Sequence, residues 1–159
     1  AFIGVNATFR SNDDYLLKSA TTLGIMAGVC FMLMTVVQPQ YKILQDYYNL
    51  SDGETKKIWA RVWKGVSSVQ LGIDICWDIF ITLATILLGI VLLRYKLIVK
   101  IVGVLGIIIG LLTLILNLYT FPIPPAESNL FDAGPLVGTW YLLLCIVMGN
   151  FYQKAKKIE

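Results

Sequence analysis

Two aspartates lie four residues apart within a long apolar run of this 159-residue chain. Asp74 and Asp78 occur in the sequence VQLGIDICWDIF, and their spacing places both carboxylates on one face of a helix. Carboxylates this close repel each other, so at least one is expected to be protonated or to bind a cation. The pair therefore predicts either a proton, cation or amine site, or hydrogen bonds that join helices.

The composition of the chain indicates that this run meets lipid. Hydrophobic residues make up 57% of the chain and charged residues 14%, and the mean hydropathy is +0.74. A soluble domain has about a quarter of its residues charged, so an apolar surface of this extent must face a bilayer. A net charge of +3, scattered along the chain, excludes a nucleic-acid-binding surface.

Several kinds of chemistry are excluded by residue type. The chain has no histidine, which excludes imidazole ligation of haem or zinc and every catalytic arrangement that needs a histidine. Each of its three cysteines lies in an apolar run, where a thiol behaves as a small hydrophobic side chain. No phosphate-binding loop, dinucleotide fingerprint or Cys-x-x-Cys pair occurs. We therefore predict no catalytic residue, no cofactor and no metal site.

Four apolar stretches are long enough to cross a bilayer, which requires about 20 helical residues. They lie near residues 16–37, 69–93, 97–118 and 134–152. The predicted fold is an all-α membrane protein, a single domain over residues 1–159 in which four transmembrane helices form a bundle. Asp78 falls close to the midpoint of the second predicted span.

A further amphipathic helix is predicted near residues 52–68, where Ser51 and Glu54 have the spacing of a capping box. Trp59 and Trp63 recur on its apolar face, and basic residues cover the rest of its surface. Tryptophan favours the headgroup level, so this helix is expected to lie in the membrane interface on the external side and to run into the second span with a bend. The alternative is a soluble connector helix packed on the outer face of the protein.

Other polar side chains are expected at the level of the two aspartates, where the outer ends of the predicted spans meet. The candidate intramembrane polar site consists of Asp74, Asp78, Gln70, Trp77, Asn117 and Tyr119. The proline-rich segment that follows, residues 121–127, cannot be helical and forms an external loop. Asp132 can cap the last helix, with Pro135 in its first turn.

Basic residues near the ends of the spans predict the orientation of the chain. Eight of them fall on one side and five on the other, and all five lie between the first two predicted spans. Both termini are therefore expected to be cytoplasmic. Glycines four residues apart favour close helix packing within the bundle, or a dimer face, at Gly24/Gly28, Gly106/Gly110 and Gly134/Gly138.

Two segments resemble an uncharacterised family of bacterial multi-pass integral membrane proteins. They are VQLGIDICWDIFITLATILLGIVLLR, residues 69–94, and LNLYTFPIPPAESNLFDAGPLVGTWYL, residues 116–142. The resemblance rests on the Asp-x-x-x-Asp spacing and on the Asn-Leu-Tyr-Thr-Phe-Pro segment. It implies a helical protein of the bacterial inner membrane. The family has no assigned activity, so the resemblance implies no substrate.

The kinds of chemistry excluded above leave few candidate functions for this chain. We expect a non-enzymatic accessory or scaffold subunit whose partners are the lipid bilayer and either further copies of itself or a larger membrane complex. The alternative is a proton- or cation-coupled carrier, or a ligand-binding membrane protein, that uses Asp74 and Asp78. An intramembrane enzyme ranks below both, because the carboxylate pair has neither a nucleophile nor a metal beside it.

Overall fold

The computed structural model describes residues 15–95, 97–121, 123, 125 and 128–156. Its helices are α1 at Tyr15–Leu50, α2 at Gly53–Leu92, α3 at Leu97–Thr120 and α4 at Gly134–Lys156. No strand occurs among these residues. The all-helical class predicted from the sequence is therefore confirmed.

Three of the helices, α1, α2 and α3, are long and apolar enough to cross a membrane. The apolar stretch of α4, Gly134–Asn150, is shorter, so a fourth span stays a prediction. α1 packs mainly along α2, α2 also along α3, and α4 mainly against α3. These lengths and this apolarity indicate a helical membrane protein.

α1 is longer than the span predicted at residues 16–37. It continues to Leu50, and Pro39 lies inside it. Proline lacks an amide hydrogen and ordinarily interrupts a helix, so a helical segment after Pro39 needs support from tertiary contacts. That support comes from aromatic side chains of α2, which pack against the last three turns of α1.

α2 contains two elements that the sequence predicts to follow one another with a bend between them. The predicted interfacial helix at 52–68 and the predicted span at 69–93 form one helix of 40 residues without a break. The predicted capping box is wrong, because the N-cap residue is Asp52 and its side chain makes no capping hydrogen bond. The Ser51 hydroxyl donates instead to the carbonyl oxygen of Tyr47 at 2.6 Å, at the end of α1.

Aromatic side chains hold α1 and α2 together around their connection. The rings of Tyr47 and Trp59 stack with centroids 4.9 Å apart. Trp63 contacts both Tyr41 and Tyr48, each with a centroid distance of 5.6 Å. The two tryptophans that suggested an interfacial helix therefore have protein partners along one side.

The hairpin formed by α1 and α2 extends beyond the end of α3. A Cβ built on Gly103 of α3 would meet Gly89 of α2, and one on Gly110 would meet Thr82, so the two helices run in antiparallel register. Continuing that register brings Thr120, the last residue of α3, level with Gly72, half a turn before Asp74. Residues 53–73 of α2 therefore project about 30 Å further.

α1 accompanies this projection, since Phe31 contacts Trp77 and the helix continues for 19 residues past that point to Leu50. We call residues 35–50 and 53–73 the arm. The main hydrophobic cluster lies at the opposite end of the molecule and draws residues from all four helices. Its buried members are Leu17, Ala20, Leu88, Val91, Leu92, Val99, Val102, Trp140, Leu144 and Met148.

Around the main hydrophobic cluster, glycine permits two close contacts between helices. A Cβ on Gly103 would lie 2.7 Å from the carbonyl oxygen of Gly89, so α2 and α3 touch backbone to backbone. A Cβ on Gly106 would lie 2.5 Å from the Trp140 ring, whose Nε1 donates to the Val102 carbonyl oxygen at 2.8 Å. Both approaches exclude any larger side chain at these glycines.

The predicted glycine pairs have different environments. Gly106 and Gly110 both pack inside the protein, as expected for that pair. Gly24 is buried, but a Cβ on its partner Gly28 would meet nothing within 4 Å, and the same holds for Gly138. Packing within the protein thus explains one predicted pair completely and the other two in part.

Candidate functional site

Asp74 and Asp78 lie on one side of α2, each partly buried, as their spacing predicts. Both line a cavity of about 320 Å³ at the level where α3 ends and α4 begins. The other lining residues are Trp77, Pro125, Asp132, Gly134 and Pro135. The cavity therefore lies between α2, the start of α4 and the loop that leads into α4.

A third carboxylate, Asp132, lines the same cavity. Its Oδ1 accepts a hydrogen bond from the Gly134 amide at 2.8 Å, so it caps α4 as predicted. The sequence predicts this capping role for Asp132 but not its proximity to the other two aspartates. The available signal was that the start of the last helix and the carboxylate pair belong to the same end of the predicted bundle.

Asn117 is the predicted site residue that lies deepest, with only 7% of its surface exposed. Its Nδ2 donates to the carbonyl oxygen of Thr113 at 3.0 Å, and its side chain lies near the Asp78 carboxyl group. Asn117 is three residues from the end of α3, about 5 Å along the helix axis. Asp78 therefore lies near the level at which α3 ends, whereas the sequence places it close to the midpoint of the second predicted span.

The remaining predicted residues divide into two groups. Trp77 lines the cavity, and its ring also contacts Phe31 of α1 with a centroid distance of 6.4 Å. Gln70 lies one turn before Asp74 and does not line the cavity. Tyr119 is 81% exposed on the outer surface of α3. The structure thus brings together Asp74, Trp77, Asp78 and Asn117, and it adds Asp132.

The arrangement is suited to attracting a positive charge. Three carboxyl groups face one cavity, and the Trp77 ring offers a π-surface to a cation. Among the described residues, no group of three or more acidic, cysteine or histidine side chains is arranged to hold a metal ion. Asn117 supplies an amide that can donate to Asp78 whether that carboxyl group is charged or neutral.

Comparison with known proteins gives one result. A search of curated proteins and a search of solved structures found no match. The model of the DUF4386 family, described as a domain of unknown function, matches residues 3–150. This match covers nearly the whole chain, including the arm, the cavity and the main hydrophobic cluster. The chain therefore belongs to the DUF4386 family.

Proposed function

We propose that this protein is a non-enzymatic accessory or scaffold subunit of a membrane complex, acting as a homo-oligomer or with other subunits. The observation that supports this proposal is the arm, which α1 and α2 form beyond the end of α3. Aromatic contacts at 4.9 Å and 5.6 Å make it a self-packed helical pair. Leu50 at its tip is 85% exposed, and Ile58 is 59% exposed, so apolar surface remains for a partner.

The placement in the membrane is part of the proposal. The apolar parts of the four helices form a transmembrane bundle in a bacterial inner membrane, with both termini cytoplasmic and the arm extending out of the bilayer on the opposite side. The excess of basic residues on the side of the termini supports this orientation. Residues 53–68 then leave the bilayer along α1 instead of lying flat in the interface.

Labelling of single cysteines tests the orientation. In a background where Cys30, Cys76 and Cys145 are replaced by alanine, a cysteine at exposed Leu50 should react from the periplasmic side. A cysteine at Arg94, in the turn between α2 and α3, should react only from the cytoplasmic side. Labelling of both positions from one side would contradict the proposed topology.

Site-specific photo-crosslinking in native membranes tests the scaffold function. A crosslinking amino acid at Leu50 or Ile58 should give a discrete species of higher mass, because both side chains are exposed on the arm. The matched control is Ile108, which is 56% exposed in the middle of α3 and should contact lipid. No crosslinked species from the arm, or the same species from Ile108, would contradict the proposal.

A second function is favoured by the cavity. Three carboxylates and a tryptophan around about 320 Å³ are suited to a small organic cation, so the alternative is a ligand-binding protein or a proton- or cation-coupled carrier. In this case Asp78, which lies near Asn117, would hold the cation at the inner part of the cavity. The arm would then serve no direct purpose in binding.

Thermal unfolding in detergent distinguishes this second function from the first. Methylammonium chloride should raise the unfolding temperature of the wild type more than sodium chloride at equal ionic strength. The increase should disappear in Asp74→Asn and Asp78→Asn and persist in Asp46→Asn, which removes an exposed carboxylate of the arm. Equal effects of the two salts on every variant would exclude cation binding in the cavity.

A further inference from the structure

Five basic residues lie on the arm, and the structure divides them into two groups. Two of them are engaged by neighbouring side chains of the arm. Lys56 places its Nζ 4.9 Å from the centroid of the Tyr48 ring, and Lys57 forms a salt bridge with Glu54 at 2.7 Å. These two lysines lie in the first turn and a half of α2, close to its connection with α1.

The other three basic residues, Lys42, Arg61 and Lys64, are exposed. No acidic side chain forms a salt bridge with any of them in the part of the chain that the structure describes. All three lie at one level of the arm. The rings of Tyr41 and Trp63 are in contact, and Lys42 and Lys64 directly follow these two residues in the sequence. Arg61 lies less than one helical turn from Lys64.

This level coincides with the end of the uncharged segments. Lys64 is the first charged residue of α2 beyond the uncharged run at 65–73, and Lys42 is the first beyond the run at 19–41 of α1. Long basic side chains at such a boundary extend towards phosphate groups while their methylene carbons stay on apolar surface. The aromatic rings of Tyr41 and Trp63 lie at the same level, as aromatic belts do.

We propose that Lys42, Arg61 and Lys64 bind the phosphate groups of anionic phospholipids where the arm leaves the bilayer. Arg61 and Lys64 are three residues apart on one face of α2, with Cβ atoms about 5–6 Å apart, so both can contact one phosphate. The planar guanidinium group of arginine binds two phosphate oxygens at once, and the ammonium group of lysine adds a third donor.

The proposal rests on the placement of the bilayer given above but not on a partner subunit. It also gives a role to three of the five basic residues on the side that has fewer of them. The anionic lipid would fix the depth at which the arm leaves the membrane, because the cations lie at a single level. An anionic headgroup at this level would contact α2 through Arg61 and Lys64 and α1 through Lys42.

Lipid-dependent thermal stability of the full chain in mild detergent tests the proposal. Phosphatidylglycerol should raise the unfolding temperature of the wild type by several degrees more than phosphatidylcholine. The double variant Arg61→Gln/Lys64→Gln should lose at least half of that difference. The matched control is Lys56→Gln/Lys57→Gln, which removes the same charge from the same helix and should keep the difference.

Native mass spectrometry of the same variants provides a second readout that does not depend on unfolding. The wild type and the control should retain phosphatidylglycerol, and Arg61→Gln/Lys64→Gln should retain less of it. Equal loss of the lipid effect in both double variants would overturn the proposal, since the effect would then follow net charge alone. A similar increase with inorganic phosphate or with polyglutamate, in place of lipid, would overturn it as well.

Discussion

Tyr47 and Trp59 stack nearly parallel across the hairpin of α1 and α2, with ring centroids 4.9 Å apart and ring planes inclined by 15°. Tyr47 lies one turn before the end of α1, and Trp59 lies in the second turn of α2. Because the stack joins the two helices near their connection, it aligns them for the whole length of the arm. The arm is therefore held by contacts within the protein itself.

A double-mutant cycle on this pair measures that contact. Tyr47→Ala and Trp59→Ala should each lower the free energy of unfolding, and the coupling energy should be about 0.5–1.5 kcal/mol, as for other stacked aromatic pairs. The control cycle pairs Tyr47→Ala with Ile58→Ala, because Ile58 is exposed beside Trp59. Coupling as large in the control as in the stacked pair would contradict the assigned contact.

Trp63 and Trp140 differ in one respect that mutation can test. The Nε1 of Trp63 is buried and has no hydrogen-bond partner among the described residues, whereas that of Trp140 donates to the Val102 carbonyl oxygen at 2.8 Å. Phenylalanine keeps an aromatic ring but removes the donor. Trp140→Phe should therefore cost about 1 kcal/mol more than Trp63→Phe in chemical unfolding. An equal or larger cost at Trp63 would show that its N–H has a partner.

The close approach of α2 and α3 predicts a difference between two glycines. A Cβ on Gly103 would lie 2.7 Å from the Gly89 carbonyl oxygen and 2.9 Å from Leu92 Cβ, so Gly103→Ala should destabilise the protein by about 1–3 kcal/mol. A Cβ on Gly138 would meet nothing within 4 Å, so Gly138→Ala should be neutral or slightly stabilising. Thermal unfolding of both variants in one detergent compares them directly.

The sequence predicts the elements whose structure depends on local pattern. The apolar run at 97–118 predicts α3 to within two residues, because a turn and a proline-rich loop bound it. Residues 40–50 lie outside the helices predicted from the sequence, which end at residue 37 and begin again at residue 52. Their helical structure depends on Trp59 and Trp63, which are distant in sequence.

In the candidate site, too, the sequence predicts what depends on local pattern and does not predict what depends on tertiary contacts. The spacing of Asp74 and Asp78 predicts a shared helix face, and Asn117 is among the predicted site residues because it too lies towards the outer end of its predicted span. Asp132 joins them only because the segment before α4 folds over α2, a tertiary contact without a local signal. Tyr119 was included by its level in the membrane, but level does not determine the direction in which a side chain points.

Substitutions of Asp78 separate a structural role from a binding role. Asparagine is nearly the same shape and keeps a polar group beside Asn117, so Asp78→Asn should change the free energy of unfolding by less than about 1 kcal/mol. Leucine removes the polar group beside the Asn117 amide, so Asp78→Leu should cost about 1–3 kcal/mol. Equal stability of both variants would show that Asp78 does not join α2 to α3.

The depth of the arm relative to the bilayer tests most directly the claim that α1 and α2 continue out of the membrane. Spin labels at Ile58, Val62 and Val69, three exposed residues of α2, report depth through their accessibility to oxygen and to a water-soluble relaxation agent. In reconstituted bilayers we expect Val69 to be in lipid, Val62 near the headgroups and Ile58 in water. The depths of the labels at Val69 and Ile58 should differ by about 16 Å. Equal depth of the three labels would instead show a helix lying in the interface and would contradict this account.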